Sequence, residues 1–405
     1  MLQLTSVVMV PANVRDDVGW LPKWRRVVHH CAMIPTQRLP ASLTPLDVAL
    51  AAVLDGLEPV EATALRLAEA LGCVAAEMPT LNAHPPHDIA ASDGWAMRAR
   101  DLVGVSSYSP LPLTKSPVWV EAGDVMPDGC DCVVDADSVD QTGAMIQALA
   151  EAIPGQGVRR RGGDISMGNS VIAPGQRIRP LDLLIACTAG LQELNVRRPI
   201  LRIVNVAANS TDAATAALIA ESARAAGVAV IFTETAARDA ASIATALVPA
   251  ACDLLISIGG SGVGRTDATV LALAQRGEVS AHGIALQPGH TSAVGRIGKI
   301  PVIVLPGAPD QALAVWWTLA LPVLDRLSGR QQRAPMSLPL ARKIASSVGI
   351  AEIALLAREA GGWMPLAVGE LALTTIARAD AWLVVPGGSE GFAAGTPVDA
   401  YMLRD

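Results

Sequence analysis

Four glycines fall within six residues in Asp253-Leu-Leu-Ile-Ser-Ile-Gly-Gly-Ser-Gly-Val-Gly-Arg-Thr-Asp-Ala-Thr269, directly after an apolar run. A buried strand ending in such a loop turns backbone N–H groups outward. At Gly259, Gly260, Gly262 and Gly264 no side chain keeps a bulky anion away. Ser261 adds a hydroxyl and Asp267 a carboxylate. The chemistry this pattern suits is the binding of a phosphate-bearing or similarly anionic ligand.

Three further segments could join it. In Ser92-Asp93-Gly94 a tight turn presents a carboxylate able to hold a metal or orient a ligand, or forms only a polar turn. Arg159, Arg160 and Arg161 precede Gly162-Gly163-Asp164. Guanidinium forks match phosphate geometry, although a solvated charge run reads the same way. Gln287-Pro-Gly-His-Thr291 and Leu305-Pro306-Gly307-Ala308-Pro309 read as rigid turns at strand ends, expected at the carboxyl edge of the sheet that carries the glycine loop. By contrast, Cys130-Asp-Cys132 has no second cysteine pair nearby and reads as strand. The prolines of His84-Pro-Pro-His87 favour an extended loop.

The elements that must position these residues follow from periodicity. Strands over 200–206, 228–232, 254–258 and 302–305 alternate with helices over 213–226, 237–247, 267–275 and 310–327, which predicts a parallel, doubly wound sheet. Thr44-Pro45-Leu46-Asp47 has the form of a helix start with a hydroxyl N-cap, and Leu46, Leu50, Val53 and Leu54 share one face. A second helical pattern runs from Glu61 to Leu71. Between about 80 and 165 the texture is β-rich, with short runs at 118–120, 132–134 and 144–146. Residues 330–335 resemble a linker, and the remainder a small β domain.

The totals exclude several classes. A chain of 405 residues is too long for one core. With 51% apolar and 17% charged residues it is globular. A net charge of −7, with two Tyr and two Phe, argues against a nucleic-acid partner. Six scattered cysteines suit a reducing compartment, and no apolar run or basic leader suggests a membrane span or secretory signal, so a cytoplasmic protein is expected.

Taken in order, the Asp-Gly turn, the Arg-Arg-x-Gly-x-Asp segment, the strand–glycine loop and the two Pro-Gly turns resemble the molybdopterin molybdotransferase family (MoeA type, including the E domain of gephyrin). The likeness runs from about Thr44 to the C-terminus, including Ala379-Asp-Ala-Trp-Leu-Val-Val-Pro-Gly-Gly-Ser-Glu-Gly391. It implies an α/β multidomain, elongated subunit. An irregular extension (1–41) precedes a small α/β linking domain (42–79 and 166–195), whose 44–60 segment packs on the α/β domain. A β-rich lobe (80–165), a doubly wound molybdopterin-binding domain (196–329) and a C-terminal β domain (330–405) complete it.

It also implies a homodimer in which the partner's β-rich lobe completes the site. Adenylylated molybdopterin, molybdate and Mg²⁺ bind there, and AMP is released with the molybdenum cofactor. By position, Asp93 and Asp164 match the catalytic and metal-holding acids. Arg159, Arg160 and Arg161 match the basic run. Gly259, Gly260, Ser261, Gly262, Gly264 and Asp267 match the pterin loop, with Asp239, Gln287, Gly289, His290, Pro306 and Gly307 around it.

The departures matter as much. The family's S-T-G-D-E loop after the first α/β strand is missing from Asn205-Val-Ala-Ala-Asn-Ser-Thr-Asp212. Its K-P-G-K-P has become Gln287-Pro-Gly-His-Thr291, which removes two lysines, and L-P-G-N-P has become Leu305-Pro-Gly-Ala-Pro309. A catalytically degenerate paralogue that binds molybdopterin, or serves as a scaffold or chaperone for a molybdoenzyme, is the alternative.

Overall fold

The computed structural model describes residues 7–12, 23–28, 37–142, 145–206 and 210–403, with side chains from residue 37 onward except 210–212. At its centre is a six-stranded sheet. Strands Ala229–Glu234, Ile200–Asn205, Leu254–Ile258 and Ile300–Leu305 lie side by side in parallel, in that order. Ala293–Ile297 and Glu278–His282 then extend the sheet antiparallel. The near-continuous apolar runs of the parallel strands fit a sheet covered on both faces. One face holds Leu201, Ile203, Ile256 and Leu305 against helices Ser210–Ala225 and Pro309–Ser328. The other packs Val204, Leu255 and Val304 against Ala240–Ala246 and Thr269–Arg276.

The chain leaves Ile200–Asn205 for a neighbour on one side and returns to Leu254–Ile258 on the other. The order therefore reverses between these two strands. The crevice beyond their carboxyl ends is where an open α/β sheet binds ligands.

Several sequence expectations change here. Thr44 does not cap a helix. Thr44–Pro45 pairs in parallel with Ile284–Ala285, Thr44 N–H donates to the Gly283 carbonyl (2.9 Å), and the helix Leu46–Leu54 begins with no side-chain cap. That helix buries Ala49 and Val53 against the α/β core. The helical pattern over 61–71 resolves into a strand, Thr63–Arg66, and one helical turn, Leu67–Ala70. Pairing with Glu193–Val196 supplies its backbone partners and overrides local propensity. The expected run at 144–146 lies one step later, with pairing at Gln147–Ala148; residue 144 is outside the described residues. The long helix after Pro309 carries a π-helical turn at Trp316–Ala320, just before Pro322.

The largest change concerns Gln287. Its strand, Ile284–Gln287, is not part of the α/β sheet. It joins a seven-stranded sheet of the C-terminal domain by pairing in parallel with Leu286↔Ala351 and Gln287↔Glu352. The region 80–165 forms several two- and three-stranded sheets around small cores such as Met97, Leu102, Cys132 and Val134.

Candidate functional site

Beyond Ile258 the chain turns through Gly259 and Gly260, both left-handed (φ 94° and 67°), a conformation glycine adopts without strain. Space is as restrictive as dihedral angle. A Cβ at Gly259 would lie 2.6 Å from the Val206 carbonyl, and one at Gly260 2.5 Å from Thr269 Oγ1. Thr269 Oγ1 donates to the Gly259 carbonyl (2.8 Å), and Thr269 N–H to the Gly260 carbonyl (3.1 Å). Gly259 N–H donates across the sheet to the Leu305 carbonyl (2.9 Å).

The next four amides behave differently. Among the described residues, the N–H groups of Gly260, Ser261, Gly262 and Val263 donate to no protein acceptor. Successive unpaired amides at a left-handed turn form a concave nest for an anion. The loop tip, Val263 to Thr266, is exposed, so a ligand can reach it.

Charged groups brace the loop from behind. Asp267 accepts from Gly264 N–H (2.9 Å) and pairs with Arg238 (3.0 Å), which also donates to the Val206 carbonyl (2.6 Å). Both side chains of the pair are about four-fifths buried (22% and 19% exposed). A Cβ at Gly262 or Gly264 would come within 2.7 or 2.9 Å of the Asp267 carboxylate, which explains glycine at both positions. Asp267 thus organises the loop, and its carboxylate is already engaged. From the far side, His282 Nε2 meets the Ser261 carbonyl (3.0 Å), and Thr291 Oγ1 lies 3.3 Å from Ser261 Oγ.

The remaining candidates lie in different places. Pro306 and Gly307 lie at the end of the adjacent strand, where the Gly307 carbonyl accepts from Thr215 Oγ1 (2.8 Å). Gly289 is left-handed (φ 117°) beside Val315, and the His290 carbonyl accepts from Ile284 N–H. Gln287 instead faces the C-terminal domain, in a cleft with Asp310, Gln311 and Gly369. Asp239 caps the helix Ala240–Ala246. It accepts from Ser242 N–H (2.9 Å) and Oγ (2.7 Å), and these bonds, the backbone one foremost, hold its carboxyl below the ordinary range.

Asp93 and Asp164 lie exposed on the β-rich lobe. Asp93 Oδ1 accepts from Ala122 N–H (2.8 Å), and Asp164 pairs with Arg159 at 3.3 Å. Arg160 lies against Gly155, and Arg161 N–H donates to Asp88 (2.7 Å). The pairing of Ile89–Ala90 with Val158–Arg159 brings the two segments together. Within one chain, no hydrogen bond or ion pair joins them to the glycine loop among the described residues. Nor do three acidic, histidine or cysteine side chains gather as a metal cage among those residues. Cys132 lies buried on its strand, where its thiol donates to the Met97 carbonyl; burial first, then Asp131, pushes that thiol up to about 11.

Residues without a sequence signal complete the picture. Gln37, Arg238 and His282 contact the loop segment from 223, 29 and 21 residues away. Asn205, 1% exposed at the end of the first strand, has no partner for either carboxamide atom among the described residues. The loop at 207–209 that follows it, in place of the family's acidic segment, lies outside the described residues.

Three family models match in chain order: the MoeA N-terminal region (domain I and II) over 44–190, a probable molybdopterin binding domain over 200–326, and the MoeA C-terminal region (domain IV) over 371–403. A protein of Mycobacterium tuberculosis named molybdopterin molybdenumtransferase 2 is 30% identical over 285 residues, 60% of this chain and 70% of its own. A molybdopterin molybdenumtransferase of Haemophilus influenzae is 28% identical over 320 residues, 71% of this chain and 78% of its own. Among solved structures, the molybdopterin biosynthesis MoeA protein of Pyrococcus horikoshii superposes with a TM-score of 0.66 at 22% identity. That match covers 89% of this chain and 100% of the other, and it supports the shared fold.

Proposed function

The chain belongs to the MoeA family of molybdopterin molybdenumtransferases, and from that premise we propose that it inserts molybdate into adenylylated molybdopterin and releases AMP. It is a transferase of molybdenum cofactor biosynthesis. The observation that carries the finer reading is the nest of four unpaired amides at the switch point of the sheet. Such donors suit a pterin phosphate, and they need no reorganisation when charge arrives. Arg159, Arg160 and Arg161 would neutralise the pyrophosphate, with Arg159 poised against Asp164. Asp93, exposed and with one oxygen already oriented by Ala122, would position the attacking group.

Because no hydrogen bond or ion pair joins the acids to the loop among the described residues, we place them together across a homodimer, each site using the partner's β-rich lobe. For Mg²⁺ the donor set does not fit a dedicated cage within one chain: Asp164 pairs with Arg159, and no group of three acidic, histidine or cysteine side chains gathers among the described residues. A magnesium requirement would therefore reside in the phosphates of the substrate, and no step is assigned to the ion.

Gln287, His290 and Ala308 favour a second reading. Loss of charge-assisted contacts where the family has lysines suits a pterin-binding protein without turnover. Incubation with adenylylated molybdopterin, molybdate and Mg²⁺ separates the two. AMP release that depends on molybdate supports the transferase. Pterin binding without AMP release refutes it and leaves the binder.

A further inference from the structure

We propose that Gln37 is a positioning residue of the anion nest: its carboxamide sets the direction of the loop's ligand-facing amides. The inference rests on the reading that the glycine loop seats the pterin phosphate.

Gln37 is 4% exposed. Its Nε2 donates to the carbonyl of Gly260 (2.8 Å) and to that of Gly262, and its Oε1 accepts from Val270 N–H (3.2 Å). One side chain thereby holds three backbone groups more than 220 residues away. The peptide unit is planar and trans, so its C=O and N–H point to opposite sides. Fixing the carbonyls of Gly260 and Gly262 toward Gln37 fixes the N–H groups of Ser261 and Val263 away from it. Those are two of the four amides without a protein acceptor.

A loop with glycine at 259, 260, 262 and 264 loses more conformational entropy on ordering than any other composition, so it gains most from an external brace. Arg238 and Asp267 brace its descending limb, and Gln37 braces the ascending limb. The same carboxamide serves the helix Thr269–Arg276, which has Ala268 at its N-cap and no side-chain cap of its own.

Gln37 is delivered by an anchored segment. Leu39, Pro40 and Leu43 pack over Gly283, where a Cβ would come within about 3.0–3.1 Å of each. Thr44–Pro45 then pairs with Ile284–Ala285. The segment just before the first family match is thus a working part of the site.

The test uses full-length Gln37→Met, Gln37→Glu and Gly260→Ala. Met removes all three bonds at similar length; Glu keeps an acceptor for Val270 and loses the two donors. We expect both Gln37 variants to weaken molybdopterin binding about tenfold, with kcat at saturation within about twofold and unfolding that stays cooperative at a lower midpoint. Hydrogen exchange over 260–264 should accelerate. Unchanged Kd in both Gln37 variants, with Gly260→Ala impaired, overturns the role of Gln37 and leaves the loop reading intact. A loss in kcat alone also overturns it. Unchanged Kd in all three variants overturns the loop reading itself. If Gln37→Met unfolds, Gln37→Asn decides, because it keeps a carboxamide but falls one methylene short of the Gly260 and Gly262 carbonyls.

Discussion

Gly260→Ala is the most informative single substitution, because the structure separates its two costs. A non-glycine residue at φ 67° costs about 1–2 kcal/mol of backbone strain. The new Cβ would also sit 2.5 Å from Thr269 Oγ1, and moving that oxygen sacrifices its bond to the Gly259 carbonyl, worth about 1 kcal/mol. Together these give about 2–3 kcal/mol. Thr269→Ala alone removes the bond and should cost about 1–2 kcal/mol.

In the double variant the clash is gone, since the next contacts, Val206 Cγ1 and Thr269 Cβ, lie at 3.5 and 3.6 Å. Its cost should fall short of the sum of the singles by about 1 kcal/mol or more. Urea unfolding of the four proteins, read as midpoints at constant slope, measures this directly. Strict additivity would refute the claim that Gly260 is required by the Thr269 hydroxyl. Molybdopterin affinity should fall in both Gly260 variants.

Mixing Asp93→Ala and Gly260→Ala proteins, each inactive alone, should restore about one quarter of the wild-type rate through mixed dimers, and no recovery would exclude a site shared between subunits. Asp239→Ala should lower the melting temperature at pH 7. The carboxyl is held below its ordinary range by Ser242, so its contribution is complete above the unfolded value of about 3.9 and is lost as pH falls through the lower folded value; a melting difference that is already gone at pH 6 would contradict this. Iodoacetamide at pH 8 should label exposed Cys187 and spare Cys132, whose thiol is buried and held protonated, and equal labelling would contradict that burial. Asp267→Asn should weaken pterin binding through Gly264 and Arg238, and Arg238→Ala should add little to it if the pair acts as one unit.

What could be read from the sequence depended on range. The parallel strands were legible because burial on both faces imposes uninterrupted apolar runs, and Leu254–Ile258 lies where its pattern predicts. Asp239 is a different case. The family resemblance assigns it to the site, whereas Ser242 engages its carboxylate and makes it a helix cap. Thr44 and Thr63–Arg66 were misread because long-range strand pairing outweighs a local helical pattern. Gln287 shows that a segment inside one domain in sequence can complete the sheet of another. Gln37 carries no local signal, since a glutamine acquires its role only when folding places Gly260, Gly262 and Val270 around it.

The central claim is that the loop from Gly260 to Val263 receives the phosphate of molybdopterin. A crystal structure of the protein with molybdopterin bound tests it most directly. Phosphate oxygens should lie within about 2.7–3.2 Å of at least two of the amides of Gly260, Ser261, Gly262 and Val263. A pterin bound elsewhere, with those amides facing solvent, would contradict it.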